Sequence, residues 1–254
     1  MLGYGEVSMR LIASDYDGTF TNRGGVDDAR RQAVARWQAV GHKFGIVSGR
    51  SIDFLPPSLE EDGVECDYFI ANNGAVITDG KGNILTEEHC DGSLALPLIQ
   101  ALFELGCPYA SVTTEFPCTV YPVLKEAKSG RFTLTDLPEL PYFHQISTVL
   151  PNFEEAARVT EAIRVRFERW LNPLQNGRCI DIVPAGIDKA AGIRKLIALW
   201  GIAEEDVIAV GDNVNDAAMI AAFPAYAVDN AVDSIKELAG RTVPDLTELI
   251  RLEL

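Results

Sequence analysis

LIASDYDGTF, residues 11–20, decides the fold. Leu11, Ile12 and Ala13 form a short apolar run that leads into Asp15 and Asp17, with Gly18 and Thr19 directly after. An apolar run that stops at acidic and small turn residues reads as a buried strand opening into a loop. Two carboxylates one residue apart repel each other at such an end unless something neutralises them.

Working outward, residues 9–79 alternate strand-like and helix-like segments. A helix is expected over DDARRQAVARWQAV, entered from a Gly24–Gly25 turn, capped by Asp27 and ended by Gly41. The strand KFGIVS follows, then YFIANNG and AVITD. Towards the other end GIRKLIALWG reads as a helix, DVIAVGD as a strand, NDAAMIAAF as a helix and YAVD as a strand. This is the β-α-β rhythm of a parallel sheet. The middle third differs. SLALPLIQALFEL and NFEEAARVTEAIRVRFERW read as helices, FHQISTVL as a strand, and LNPLQ and RCIDIVP as a hairpin around Asn176-Gly177. The apolar stripe Phe153, Val159, Ile163, Phe167 is expected to be the buried face of its helix. The expected class is therefore α/β: a Rossmann-like parallel-sheet core, residues 1–79 and 185–254, with an inserted α+β cap domain at 80–184. The chain is expected to leave the core through DGKGN (79–83) and return through PAG (184–186), where glycines permit a hinge. Residues 124–141, polar and proline-marked, fit a loop or a short helix.

Composition narrows the partners. With 254 residues, 47% of them apolar, the chain can build an ordinary core without staples. A net charge of −15 disfavours a grip on phosphate backbones or anionic lipid, so neither nucleic acid nor membrane is an expected partner. There is no apolar run of the roughly 20 residues that span a bilayer, and no secretory signal pattern. A cytoplasmic protein is expected, with its oligomeric state left open. Five scattered cysteines without a C-x-x-C pair read as reduced, mostly buried thiols. GYG at 3–5 lacks the third glycine and the preceding strand of a dinucleotide fingerprint.

Four stretches carry chemistry, each just after an expected core strand: DYDGT (15–19), SGR (48–50), DK (188–189) opening a helix, and GDNVND (211–216). Ligand sites assemble at the carboxyl ends of strands in open parallel sheets, so these distant segments can meet. Asp15, Asp17, Asp212 and Asp216 then gather four carboxylates against Lys189 alone. Oxygen-only ligands suit a hard divalent cation, and a site open to water and a substrate phosphate suits Mg²⁺. Ser48, the Gly49 N–H and Lys189 are donors for phosphoryl oxygens. Asp15 can attack phosphorus, Asp17 can protonate the leaving oxygen and later activate water, and Thr19 can hold the turn and bond a carboxylate or phosphate oxygen.

In this order, D-x-D-G-T after an apolar strand, S-G-R, a helix-opening lysine and G-D-x-x-N-D resemble the four motifs of the haloacid dehalogenase-like phosphatase superfamily. NNGA at 72–75 and PAGIDKAAGI at 184–193 resemble its Cof-type branch, subfamily IIB, which carries an α/β cap inserted at this point. The resemblance implies Asp15 as nucleophile, Asp17 as general acid/base, and Ser48 and Lys189 as phosphate ligands. It implies Mg²⁺ on Asp15, the Asp17 main-chain carbonyl and Asp212, with Asn215 and Asp216 supporting that set or orienting Lys189. Asn230 sits in VDNA where the family pattern is M-G-N-A, so its role is not carried over. Tyr16 and Phe20 replace a leucine common in the family and change packing only.

The expected activity is Mg²⁺-dependent hydrolysis of a small phosphorylated metabolite through an aspartyl-phosphate, with a sugar phosphate as the substrate class the family implies. Two alternatives stay open: a phosphotransferase or phosphomutase of the same superfamily, and a non-catalytic, receiver-like phosphate-binding protein. Arg50 reads as an ion-pair partner. His42, His89 and His144 have no carboxylate or cysteine at ligand spacing and read as surface or core residues. Tyr121, Lys125, Lys128, Arg131, His144 and Arg178 are unranked candidates for reading the leaving group.

Overall fold

The computed structural model describes residues 9–21, 25–126 and 128–254. Gly24 of the expected entry turn and the GYG at 3–5 lie outside the described residues. The first strand, β1 (Leu11–Ser14), is buried at every position. It is followed by α1 (Asp28–Ala39), β2 (Lys43–Val47), α2 (Leu55–Glu61), β3 (Tyr68–Ala71), β4 (Val76–Asp79) and β5 (Ile84–Glu87). Asp27 caps α1 by accepting from the Arg30 N–H, and Gly41 follows the helix at φ +93°.

The middle of the chain forms β6 (Cys90–Asp91), α3 (Ala95–Glu104), β7 (Ala110–Thr113), β8 (Cys118–Val120), β9 (Arg131–Phe132), β10 (Tyr142–Phe143), β11 (Gln145–Val149), α4 (Phe153–Phe167), β12 (Leu171–Asn176) and β13 (Cys179–Pro184). Then come α5 (Lys189–Trp200), β14 (Val207–Gly211), α6 (Ala217–Ala222), β15 (Ala225–Val228), α7 (Asp233–Ala239), β16 (Thr242–Val243) and α8 (Leu246–Glu253).

The first sheet runs β16-β15-β14-β1-β2-β3-β4-β5. Strands β16 to β3 in that order are mutually parallel, and β4 and β5 are added antiparallel. The parallel rhythm expected through AVITD therefore ends one strand early. Only residues 72–75 separate β3 from β4, and a parallel connection needs a crossover of a dozen or more residues. A second correction follows at DGKGN. This stretch is the β4–β5 hairpin turn, in which the Asp79 carboxylate accepts from the Lys81 and Asn83 N–H groups and Gly82 has φ +82°. The first sheet thus continues to Glu87, past the expected boundary at 79–80.

The second sheet, β12-β13-β11-β7-β8-β9, is antiparallel except for its last pair. Its apolar face packs with α3 and α4 in a separate core that includes Leu98, Ile99, Leu102, Ile146, Val159, Ile163 and Ile182. Phe153 departs from the expected stripe: it is the first residue of α4 and is 52% exposed, while Ala156 and Thr160 complete the buried face. The β12–β13 hairpin forms at Asn176-Gly177, with Gly177 at φ +58°. The described residues of 124–141 hold β9 and turns. All five cysteines are free, and Cys90, Cys107 and Cys118 are buried. A small apolar cluster, Ala75, Val183 and Ile187, joins the two bodies. No helix among the described residues is long and apolar enough to cross a membrane.

Candidate active site

β1, β2, β3 and β14 lie side by side and end at the same edge, so Asp15, Ser48, Asn72 and Asp212 emerge together although they are far apart in sequence. Asp15 continues β1, its N–H bonded to the Val210 carbonyl at 2.9 Å, and is 6% exposed. The turn beyond it needs Gly18, which has φ +87°. A Cβ there would stand 2.6 Å from the Asp212 Oδ2. Thr19 donates to Asp212 Oδ1 at 2.8 Å, tying the first motif to the last. Asn230 also reaches this turn, donating to the Gly18 carbonyl at 2.8 Å.

Lys189 opens α5 behind the Asp188 cap, and its ammonium is fully buried between two carboxylates, 2.5 Å from Asp15 Oδ1 and 2.6 Å from Asp216 Oδ1. The other oxygen of Asp216 accepts from the N–H groups of Asp212 (2.9 Å) and Asn213 (3.1 Å). Both oxygens of Asp216 are thus engaged by protein donors, and it holds both Lys189 and the GDNVND loop. Asn215 makes no bond to Lys189, and its buried Oδ1 has no partner among the described residues.

Electrostatics here are dominated by burial. Burial raises the Asp15 carboxyl well above its ordinary value, the Asp216 charge adds to this, and Lys189 offsets only part of it. Burial and Asp216 likewise raise Asp212, against the Thr19 bond. For Lys189 burial opposes the charge, but Asp15 and Asp216 outweigh it and hold the ammonium above its ordinary value. Oxygen atoms of Asp15, Asp212 and Asp216 lie within 4.8 Å of one another. Three acids around one ammonium leave a deficit of positive charge, and an all-oxygen donor set fits a hard divalent cation.

Asp17 is set apart from this cluster. Its side chain is about half exposed and is gripped at both oxygens by Arg50, Nε to Oδ2 at 2.6 Å and Nη2 to Oδ1 at 2.8 Å. The guanidinium also lies 4.2 Å from the Phe54 ring centroid. The ion-pair partner expected of Arg50 is therefore Asp17 itself. Ser48 is 2% exposed, and its Oγ accepts from the Arg50 N–H at 3.2 Å, closing the Ser48–Arg50 turn one strand away from Asp15.

The second body covers this edge with residues that the sequence reading passed over. Asn176 accepts from Asn213 at 3.1 Å, and Gln145 donates to the Gly49 carbonyl at 3.0 Å. Of the six side chains left unranked, one makes a contact across the seam: His144, with Glu87 of β5 in the first sheet. Arg131 lies over the Tyr121 ring, Arg178 donates to the Pro151 carbonyl, Lys128 is near Glu126, and His144 pairs with Glu87 at 2.9 Å. The signal for Gln145 was present: Gln145 and Ser147 alternate along FHQISTVL, and Cys179 and Asp181 along RCIDIVP, the period-two spacing that puts such residues on one face of a sheet.

The chain is similar to known proteins in sequence and in fold. A family profile described as haloacid dehalogenase-like hydrolase matches residues 12–248. The chain is 26% identical to the 5-amino-6-(5-phospho-D-ribitylamino)uracil phosphatase YbjI of Escherichia coli (strain K12), over 90% of this chain and 88% of that one. It is 29% identical to the phosphatase YcsE of Bacillus subtilis (strain 168), whose name gives the same substrate, over 92% and 89%. Among solved structures, a subclass IIB sugar phosphatase of the haloacid dehalogenase superfamily superposes with a TM-score of 0.81 at 17% identity, over 96% of this chain and 99% of that one.

Proposed function

Because this chain belongs to the haloacid dehalogenase-like hydrolase family, we propose that it is a Cof-type, Mg²⁺-dependent phosphatase that cleaves small phosphate monoesters through an aspartyl-phosphate on Asp15. The observation that carries the reading is the clustering of Asp15, Asp212 and Asp216 around one point, with the buried ammonium of Lys189 bridging Asp15 and Asp216.

Lys189 holds Oδ1 of Asp15, which leaves Oδ2 to attack phosphorus. The P–O bond to the leaving group breaks as the Asp15 O–P bond forms, and the departing oxygen takes a proton from Asp17. Water then attacks the same phosphorus, its proton passes to Asp17, and inorganic phosphate leaves with the Asp15 carboxylate restored. Both Asp17 oxygens are occupied by Arg50, so the leaving group has to displace Arg50 from one of them before a proton can move. Ser48, the Gly49 N–H and Lys189 bind phosphoryl oxygens throughout, and Thr19 keeps Asp212 in register. Mg²⁺ would be held by Asp15, Asp212 and the Asp17 main-chain carbonyl, and would supply the positive charge that phosphoryl transfer demands. The help is needed, because uncatalysed monoester hydrolysis requires accelerations of up to ~10²¹-fold.

The substrate class is a phosphorylated polyol or sugar. Two similar proteins are named for a ribityl phosphate, and the insert brings an amide side chain, Asn176, against the core at Asn213. The test is a phosphate-release screen over phosphorylated metabolites, including 5-amino-6-(5-phospho-D-ribitylamino)uracil, in Mg²⁺ with ¹⁸O-labelled water. The expected result is label in the released phosphate, and its loss in Asp15→Asn with the fold intact. Unlabelled phosphoryl transfer to a hydroxyl acceptor, or appreciable turnover in Asp15→Asn, refutes the reading.

A further inference from the structure

Gln145, the first residue of β11 in the insert, is 4% exposed and wholly engaged at the seam between the two bodies. Its amide nitrogen lies 3.0 Å from the Gly49 carbonyl, 2.9 Å from Ser147 Oγ and 3.2 Å from Asp181 Oδ1. Its amide oxygen accepts from Asn73 Nδ2 at 3.1 Å. Asn73 also donates to Asp181 Oδ2 at 3.0 Å, and Ser147 donates to Asp181 Oδ1 at 2.8 Å. The contact is tight: a Cβ on Gly49 would stand 2.7 Å from Asp181 Oδ2 and 2.9 Å from Asn73 Nδ2.

The consequence falls on the Ser48–Arg50 turn. Its three carbonyls are all taken up, Ser48 by the Asn73 N–H, Gly49 by Gln145 and Arg50 by the Asn72 N–H. Asn72 and Asn73, at φ +49° and +53°, occupy a backbone region that non-glycine residues hold only where the surroundings over-determine it. With the carbonyls engaged and the Arg50 N–H on Ser48 Oγ, the Gly49 N–H is left as the turn's donor for an incoming anion. Two of the three anchors come from the core. The third comes from the insert.

Resting on the phosphatase reading, we infer that Gln145 is a positioning residue for the phosphate-binding turn, supplied by the insert, so that contact between the two bodies completes the anion site. Its amide N–H groups are taken up by Gly49, Ser147 and Asp181 and its oxygen already accepts from Asn73, so no donor is left for a leaving group, which separates it from residues that read the rest of the substrate.

The experiment compares the full chain with Gln145→Met, which keeps the volume without the amide, and with Gln145→Asn, which is too short to span Asp181 and Gly49 together. Inorganic phosphate binding is measured by titration calorimetry in Mg²⁺, beside KM and kcat for p-nitrophenyl phosphate and thermal melting. Loss of one hydrogen bond to the turn should weaken phosphate binding about five- to tenfold in both variants and raise KM by the same factor, with kcat falling less. Inorganic phosphate has no leaving group, so unchanged phosphate binding beside weakened binding of an ester would make Gln145 a leaving-group reader and overturn the inference. Equal affinity in wild type and both variants for every ligand would overturn it too. A wild type that neither binds phosphate nor cleaves esters would refute the phosphatase reading, and this inference with it.

Discussion

Lys189 Nζ stands 2.6 Å from Asp216 Oδ1, and neither side chain has any accessible surface. A buried ion pair contributes little net stability against an apolar pair of the same shape, but breaking one side of it strands a charge. Lys189→Met leaves Asp15 and Asp216 facing each other without a cation. The expected cost is about 3–5 kcal/mol of unfolding free energy, read from urea denaturation, with loss of turnover. A variant as stable as the wild type would mean that Lys189 does not hold the two acids together.

Asp212 accepts from one protein donor, Thr19, on one oxygen, which leaves the carboxylate room for a metal. Asp212→Ala should shift the Mg²⁺ titration of activity to at least ~10-fold higher concentration, as outer or direct metal partners commonly do, while kcat falls with it. An unchanged titration would remove Asp212 from the metal set.

Arg50→Ala frees Asp17 on an exposed turn. The pair is more than a third exposed at both ends, so its contribution to stability is small, under about 1 kcal/mol. Its contribution to orientation is larger, since the acid must meet the leaving oxygen within hydrogen-bond reach. The expected outcome is an unchanged melting temperature with kcat reduced about tenfold or more. Full activity in this variant would show that Asp17 finds its geometry without the clamp.

Asp181 gives a pH dependence with a definite sign. Burial raises its carboxyl above the ordinary value, and the bonds from Ser147 and Asn73 offset only part of this. A raised folded value means that the folded state binds the proton more tightly. Its contribution to stability is therefore complete below pH ~4, near the unfolded carboxylate value, and is lost as pH rises through the folded value. Wild type should lose stability relative to Asp181→Asn between pH 4.5 and 7.5, whatever the constant offset between them. Urea midpoints of both proteins at the two pH values check this, and a difference that stays flat would contradict it.

The edge that builds the site was legible because each of its parts is local. An apolar run followed by D-x-D-G-T, a lysine at a helix start, and a strand running into GDNVND each follow from short-range pattern, and the parallel topology brings them together. Strand direction was not legible in the same way. β3 and β4 carry apolar runs that look alike, and only the length of the connection, residues 72–75, makes the second antiparallel. Reading DGKGN as an exit from the core failed for a related reason: glycine and asparagine mark a turn but not whether the chain leaves the sheet or folds back into it. Gln145 and Asp181 went unnoticed because FHQISTVL and RCIDIVP read only as strands, and the face their alternate polar residues take is set by packing against the distant Ser48–Arg50 turn. The His144 partner, Glu87, is on a strand of the other sheet, beyond any local spacing rule.

β1 obtains one neighbour, β2, within the first 50 residues and waits for the other, β14, until residue 207. During synthesis the second sheet, whose strands all lie between residues 110 and 184, has every partner before Lys189 is made. A ribosome-bound chain should therefore carry a finished insert on a half-built core. Asp15 would have Lys189 beside it only once residue 189 is made and Asp216 only once residue 216 is, so termination between residues 184 and 216 would yield a finished insert without the assembled acidic cluster.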